Sequence, residues 1–172
     1  GVEAMQLIVE ARGDKPFATV FDLARRVDLK RIGKRPLEML ARAGAFDQLD
    51  PNRHRMFRSL DALTAYSSAI HEQRASDQVS LFGDAGDDLP EPRLWPVEDW
   101  LPTERLAEEQ TAIGFYLSGH PLDDYAAALK RKGLMTLAEL QTKAEAEGAA
   151  IARVGVIVSG LQERTSGRGT RF

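Results

Sequence analysis

The stretch from residue 75 to 102 constrains this chain more than any other. Pro90, Pro92, Pro96 and Pro102 alternate there with Asp77, Asp84, Asp87, Asp88, Glu91, Glu98 and Asp99. Proline removes a backbone donor and breaks helices, and like charges in a row repel, so the segment predicts an acidic, flexible linker. The core-forming residues must then be shared between the segments on its two sides. Residues 1–74 carry 13 Lys/Arg against 10 Asp/Glu, residues 75–110 carry 2 against 10, and residues 111–172 carry 8 against 6. A mildly basic lobe, an acidic connector and a second mildly basic lobe is a modular layout. The basic excess is too small for charge alone to establish nucleic-acid binding.

Composition removes several classes of function. With 43% hydrophobic residues in 172, the chain can build a core and global disorder is not expected. Cysteine is absent, which removes disulfides, thiol nucleophiles and thiolate metal sites together. His54, His71 and His120 are far apart and form no ligand-spaced pair, so no metal site is expected. No apolar run approaches the roughly 18 residues that span a bilayer, and no signal peptide opens the chain. A cytoplasmic protein without a membrane partner is expected. Gly1-Val2-Glu3 enters directly into helical pattern and Phe172 arrives as a strand begins, which reads as a piece of a longer protein.

The first lobe reads as helices joined by tight turns. Val2, Met5, Leu7, Ile8 and Val9 predict a helix ending near Arg12, with Gly13 at its C-terminal stop. A second helix comes after Thr19, whose hydroxyl can cap it, with Val20, Phe21, Ala24 and Val27 on one face. Val27 to Pro36 is a short turn broken by Gly33, with Pro36 suited to the first position of the next helix. That helix carries Leu37, Met39, Leu40 and Ala43 and closes at Gly44. A second tight connection, Ala45 to Pro51, leads to a long helix from about Asn52 to Arg74. Tandem helix–turn–helix units of this kind suit a helix-hairpin-helix pair. A glycine-bearing turn there lets backbone N–H groups approach a phosphate while nearby Lys/Arg supply counter-charge. Lys30, Arg31, Gly33, Lys34 and Arg35 in the first hairpin, and Arg53, Arg55 and Arg58 after the second, are the candidate DNA contacts. The plainer alternative is that these cations are merely solvated and the glycines merely end helices. Nothing here reads bases, so any binding should be sequence-independent and salt-sensitive.

Inside the acidic connector sits Gln78-Val79-Ser80-Leu81-Phe82. Leaving two adjacent large apolar side chains wet forgoes roughly 2 kcal/mol each relative to burial. A linear peptide that docks both into a partner's pocket accounts for them; packing back on the helical lobe is the alternative. Gln-x-x-Leu-Phe is similar to the sliding-clamp-binding motif of bacterial polymerases and repair proteins. Trp95 and Trp100 read as tethers of the connector to a neighbouring lobe, although tryptophan also anchors interfaces.

Residues 103–150 read as a second, small helical lobe. One helix opens at Pro102-Thr103-Glu104 and runs to Gly114, another starts at Pro121, and a last one spans about Thr136 to Glu147. His120 precedes a proline without a spaced partner, which suits a structural hydrogen-bonder better than a catalytic base. Ile151 to Val158 is β-branched and bounded by glycine, predicting a buried strand; Arg164 to Gly169 then reads as a hairpin loop before a second strand at Thr170. Strand, basic loop and strand over 151–172 could open an OB-type barrel, which binds single-stranded nucleic acid. The fold class expected is therefore mainly α: a tandem helix-hairpin-helix lobe, an acidic linker, and a small helical lobe leading into the first strands of an OB-type β-barrel.

Taken in order, Ile8-Val9-Glu10-Ala11-Arg12, Leu37-Glu38-Met39-Leu40, Gly44-Ala45-Phe46-Asp47, Gln78 to Phe82, and Tyr116-Leu117-Ser118-Gly119-His120-Pro121-Leu122 match something known. Essentially the whole chain resembles the bacterial replicative DNA polymerases of the C family, the polymerase III alpha subunits, in the segment after the fingers. The resemblance implies a helix-hairpin-helix module on duplex DNA, an internal clamp-binding peptide, and the start of an OB domain. It implies that Gln78, Ser80, Leu81 and Phe82 dock on the sliding clamp, the beta subunit. The parent enzyme would be a DNA-directed DNA polymerase using Mg2+ held by palm aspartates outside this sequence, and other replicase subunits would bind through regions also outside it. No catalytic, metal or cofactor residue is expected here. The error-prone C-family relative and a stand-alone clamp/DNA-interaction module are the alternatives. A hydrolase fails for want of a nucleophile–base pair.

Overall fold

The computed structural model describes residues 2–77, 89–148, 151–158, 163–167 and 169. The chain divides into two compact units, Gly1–Ser118 and Gly119–Phe172.

In the first unit, α2 (Val20–Arg26), α3 (Leu29–Ile32) and α4 (Lys34–Arg42) pack with the long α5 (Arg53–Asp77), α1 (Val2–Arg12) lies against α3, and α6 (Pro102–Ile113) lies against α4. The stops are those the sequence signals. Thr19 Oγ1 accepts from Asp22 N at 3.0 Å and caps α2, as expected. Gly13 closes α1 at φ +48, and its last carbonyls find a partner that was not foreseen. Arg26 Nη2 donates to Ala11 O at 2.6 Å, Arg12 O at 2.8 Å and Lys15 O at 2.9 Å, with its guanidinium over the Phe17 ring. A cation on the orphan carbonyls of a helix end satisfies both groups and opposes the negative pole.

The core runs along α5. Met56, Leu60, Leu63 and Ile70 are buried at helical spacing and meet Leu23, Leu29, Leu37 and Phe46. Burying each of these apolar side chains contributes about 1.5–3 kcal/mol. Ala65, an apolar residue of the same helix, is exposed; the stripe is completed by Ser67, which is fully buried. Ser67 Oγ accepts from Leu29 N at 3.0 Å and donates to Val27 O at 2.8 Å. This one hydroxyl satisfies two backbone groups where α2 gives way to α3 and holds the turn onto α5. The turn expected between Val27 and Pro36 thus contains a one-turn helix capped by Asp28. Pro36 falls at the third residue of α4 rather than the first.

The connector departs from expectation. Residues 89–101 contain no helix, but they form a pinned strap rather than a loose linker. Trp95 N donates to the buried Ser59 Oγ at 2.8 Å, Asn52 Nδ2 donates to Val97 O at 2.8 Å, and His54 N donates to Asp99 Oδ1 at 3.1 Å. Trp100 stacks on His54 with ring centroids 5.2 Å apart and tilts against Phe57. Acidic repulsion is relieved because the carboxylates meet cations on the lobe: Glu91 meets Arg25 at 2.6 Å, and Asp99 meets Arg105 at 3.2 Å. The pentapeptide Gln78 to Phe82 lies outside the described residues.

The second unit holds a 3-10 turn (Asp123–Tyr125), α7 (Ala126–Arg131) and α8 (Leu137–Glu147). Thr136 and Glu139 form a reciprocal capping box at the start of α8. His120 Nδ1 accepts from Leu122 N at 3.1 Å, the structural role expected of it. The buried strand expected over 151–158 is not formed. Among the described residues there is no strand; Val154 makes an isolated parallel bridge with Met135, and Ile151, Val156 and Val158 are exposed. A β-branched run becomes a strand only where neighbouring strands cover it, and no such partner is described here. The described region is therefore mainly helical, without the opening of a barrel.

Candidate nucleic-acid interface

The hairpin α3–Gly33–α4 presents its cations outward. Gly33 adopts φ +87 and ψ 155, a backbone region open essentially to glycine alone, and this reversal brings the end of α3 and the start of α4 to one surface. Arg31 and Arg35 are exposed and meet no carboxylate among the described residues. Lys30 approaches Glu72 at 3.5 Å, and Lys34 reaches Asp61 at 2.9 Å. Its bond to Asp61 raises the Lys34 pKa, so the ammonium stays charged. Such exposed pairs contribute little and exchange readily for another anion. The open depression between α1 and this hairpin is lined by Glu3 and Glu10 as well as Arg31, which makes it a poor seat for phosphate.

After the second turn the same residue types do something else. Arg53, expected to touch DNA, is buried in the lobe. Its Nε and Nη2 fork onto Asp47 at 2.9 and 2.8 Å, and Nη1 donates to Glu109 Oε1 at 3.0 Å. Asp47 first and Glu109 second raise its already high pKa against the cost of burial. A guanidinium so engaged has nothing left to offer a phosphate, and Arg53 leaves the set of candidate contacts. Arg55 is half-exposed and bound in the same way to the buried Asp50, with Nη2 to Oδ1 at 2.6 Å. Burial pushes the Asp50 carboxyl up, but Arg55 and the Asn52 N–H together hold it below its ordinary value. Arg58 is exposed, with its guanidinium over the Trp95 ring.

Glu109 is the residue sequence reasoning missed. It is fully buried, yet it accepts from Leu117 N at 2.6 Å and Ser118 N at 2.8 Å as well as from Arg53. Burial raises its pKa, and the Ser118 and Leu117 N–H groups with Arg53 more than reverse this, leaving it lowered. Arg105 joins the cluster through Asp47 at 3.4 Å, and Arg42 pairs with Glu108. The signal available was Asp47 in Gly44-Ala45-Phe46-Asp47, six residues before Arg53; nothing in the spacing pointed to a carboxylate 56 residues away. Among the described residues no group of carboxylates and histidines could hold a metal ion, and no helix is long and apolar enough to cross a membrane.

A pinned glycine hairpin with outward cations defines a helix-hairpin-helix module, and residues 1–56 match the helix-hairpin-helix motif family. The chain is also 42% identical over 174 residues to the DNA polymerase III subunit alpha of Caulobacter vibrioides, and 33% identical over 176 residues to that of Vibrio cholerae. Both alignments cover all of this chain and 15% of the relative. The subunit alpha of Bacillus subtilis is 30% identical over 141 residues, covering 82% of this chain and 12% of the relative. The chain belongs, over its whole length, with one segment of the DNA polymerase III alpha subunit family. It spans about 15% of the length of the first of these relatives.

Proposed function

We propose that this chain is the section of a bacterial replicative DNA polymerase that holds the enzyme on duplex DNA and on its sliding clamp. The observation that carries the reading is the Gly33 hairpin: Arg31 and Arg35 face solvent without a carboxylate partner among the described residues, while Ser67 fixes the turn on α5. Cations on a rigid support can track a phosphate backbone without reading bases. Nucleotidyl transfer, with its Mg2+, belongs to the parent enzyme outside this chain, as do contacts with other replicase subunits, and the setting is the cytoplasm.

The clamp contact falls to Gln78, Ser80, Leu81 and Phe82. The support for it lies in the stems on either side. Arg74 Nη1 donates to Arg25 O at 2.7 Å, and the Arg25 guanidinium holds Glu91 at 2.6 Å. One residue of α2 thus gathers both flanks of the segment that carries the peptide. Two modest contacts, peptide to clamp and hairpin to DNA, then multiply through a high effective concentration and sustain processive synthesis.

Titrating duplex DNA over a range of salt tests the first contact. Substituting Arg31 and Arg35 by alanine should lower the magnitude of the log–log salt slope by about one for every phosphate no longer neutralised. An unchanged slope would overturn the hairpin assignment. Leu81→Ala with Phe82→Ala should abolish binding to the purified clamp and leave duplex affinity as it was; undiminished clamp binding rules out docking through this peptide.

A further inference from the structure

Trp95 is anomalous for a residue so firmly held. Its backbone N–H is bonded to the buried Ser59, and Leu94 packs against the core, yet the residue is 53% exposed. The contrast is Trp100, whose ring is covered by His54 and Phe57 and which ties the strap down. What Trp95 does hold is Arg58, with the guanidinium carbon 5.1 Å from the ring centroid. Of the three arginines that open α5, Arg53 and Arg55 are bound by carboxylates, whereas Arg58 is exposed and meets none among the described residues.

Stacking changes what a guanidinium can do. The ring attracts the cation through its face and restrains the side chain, while the N–H donors stay uncommitted. A planar, oriented, unpaired fork is what a bidentate contact to a phosphate requires, and it is reached here without the ordering cost a free side chain would bear. The stack also continues the hairpin surface. Lys34, at the start of α4, reaches Asp61, which lies three residues beyond Arg58 and so shares its face of α5.

We propose that Arg58 stacked on Trp95 is a second, preformed phosphate contact for the backbone of duplex DNA, with Trp95 as its positioning residue. The proposal rests on the reading of this lobe as a duplex-binding module and extends it from the Gly33 hairpin to the strap.

The test uses the 172-residue chain and a fluorescently labelled duplex oligonucleotide, titrated at several salt concentrations. Arg58→Ala should weaken binding about five- to tenfold and lower the salt slope by about one. Arg58→Lys keeps the charge but removes the fork, so affinity should fall with little change in slope. Trp95→Ala should weaken binding in the wild-type background and add nothing in the Arg58→Ala background, while Trp95→Phe should restore most of the affinity. Reduced stability in Trp95→Ala with wild-type affinity and slope would make the tryptophan a structural tether only and overturn the proposal. Wild-type binding by the Arg58 variants, while Arg31 and Arg35 variants bind weakly, would overturn it and leave the hairpin reading standing. Failure of the unsubstituted chain to bind duplex at any salt would overturn both.

Discussion

The two glycine turns of the first unit are alike in sequence and opposite in use. Each places a glycine at positive φ with arginine close by: Gly33 beside Arg31 and Arg35, and Gly44 ahead of Arg53 and Arg55. At Gly33 the guanidinium groups point to solvent. At Gly44 they are taken up by carboxylates, the buried Arg53 by Asp47 and Glu109 and the half-exposed Arg55 by Asp50. A cation near a turn is available to a phosphate only if no carboxylate of its own fold has reached it first. Availability is therefore a property of the tertiary structure. On the function proposed above the first turn is a surface for DNA, while the second is a clasp between α5, the Asp47 turn and α6.

The largest effect that could break this contrast is expected at Arg53. Arg53→Ala leaves the fully buried Glu109 without its charge partner, and removing one member of a buried pair costs about 3–5 kcal/mol. Denaturant unfolding should show a destabilisation of that order, with the salt slope of duplex binding unaltered in whatever fraction remains folded. A small stability change accompanied by a shallower slope would return Arg53 to the DNA surface and make the two turns equivalent.

Acid sharpens the same comparison. The folded-state pKa of Glu109 lies below the ordinary 4.5, so its contribution to stability is complete above that value and is lost as pH falls through the lower, folded one. Asp50 is depressed in the same direction. Stability measured downward from neutral pH should hold until about the ordinary carboxylate range and then decline. Glu109→Gln should start from a lower plateau and decline less steeply. Identical acid limbs in the two proteins would mean that Glu109 carries no depressed carboxyl in the clasp.

The helices of the first unit were legible because their signals are local. Thr19 before an apolar face, Gly13 and Gly44 after one, and the spacing of Met56, Leu60, Leu63 and Ile70 need no knowledge of the rest of the chain. The Gly33 hairpin was legible for the same reason. What could not be read depends on partners far away in sequence. Ser67 sits on a core stripe that should be apolar because it meets backbone groups 38 and 40 residues earlier. Glu109 looks like an ordinary solvated helix residue, since the backbone N–H groups and the arginine that hold it are set by packing. The strap misled through composition: its carboxylates repel one another in isolation and are neutralised by Arg25 and Arg105 in the fold. Residues 151–158 misled through propensity, which states that a segment fits a sheet without supplying the sheet.

The finest distinction between the turns lies in the glycines themselves. An added Cβ at Gly33 would have only Pro36 Cδ nearby, at 3.9 Å, so Gly33→Ala meets backbone strain alone, about 1–3 kcal/mol at φ +87 and ψ 155. At Gly44 a Cβ would run into the guanidinium of Arg53, which cannot step aside without releasing Asp47 and Glu109. Gly44→Ala should therefore cost more than Gly33→Ala, and the excess should depend on Arg53. In an Arg53→Ala background the clash is gone, so Gly44→Ala should fall to the cost of a left-handed alanine, about 1–2 kcal/mol, whereas Gly33→Ala should cost the same in either background. A four-way comparison of unfolding free energies measures both couplings. Equal costs for Gly44→Ala with and without Arg53 would show that the second turn is shaped by its backbone alone, and the clasp would cease to distinguish it from the first.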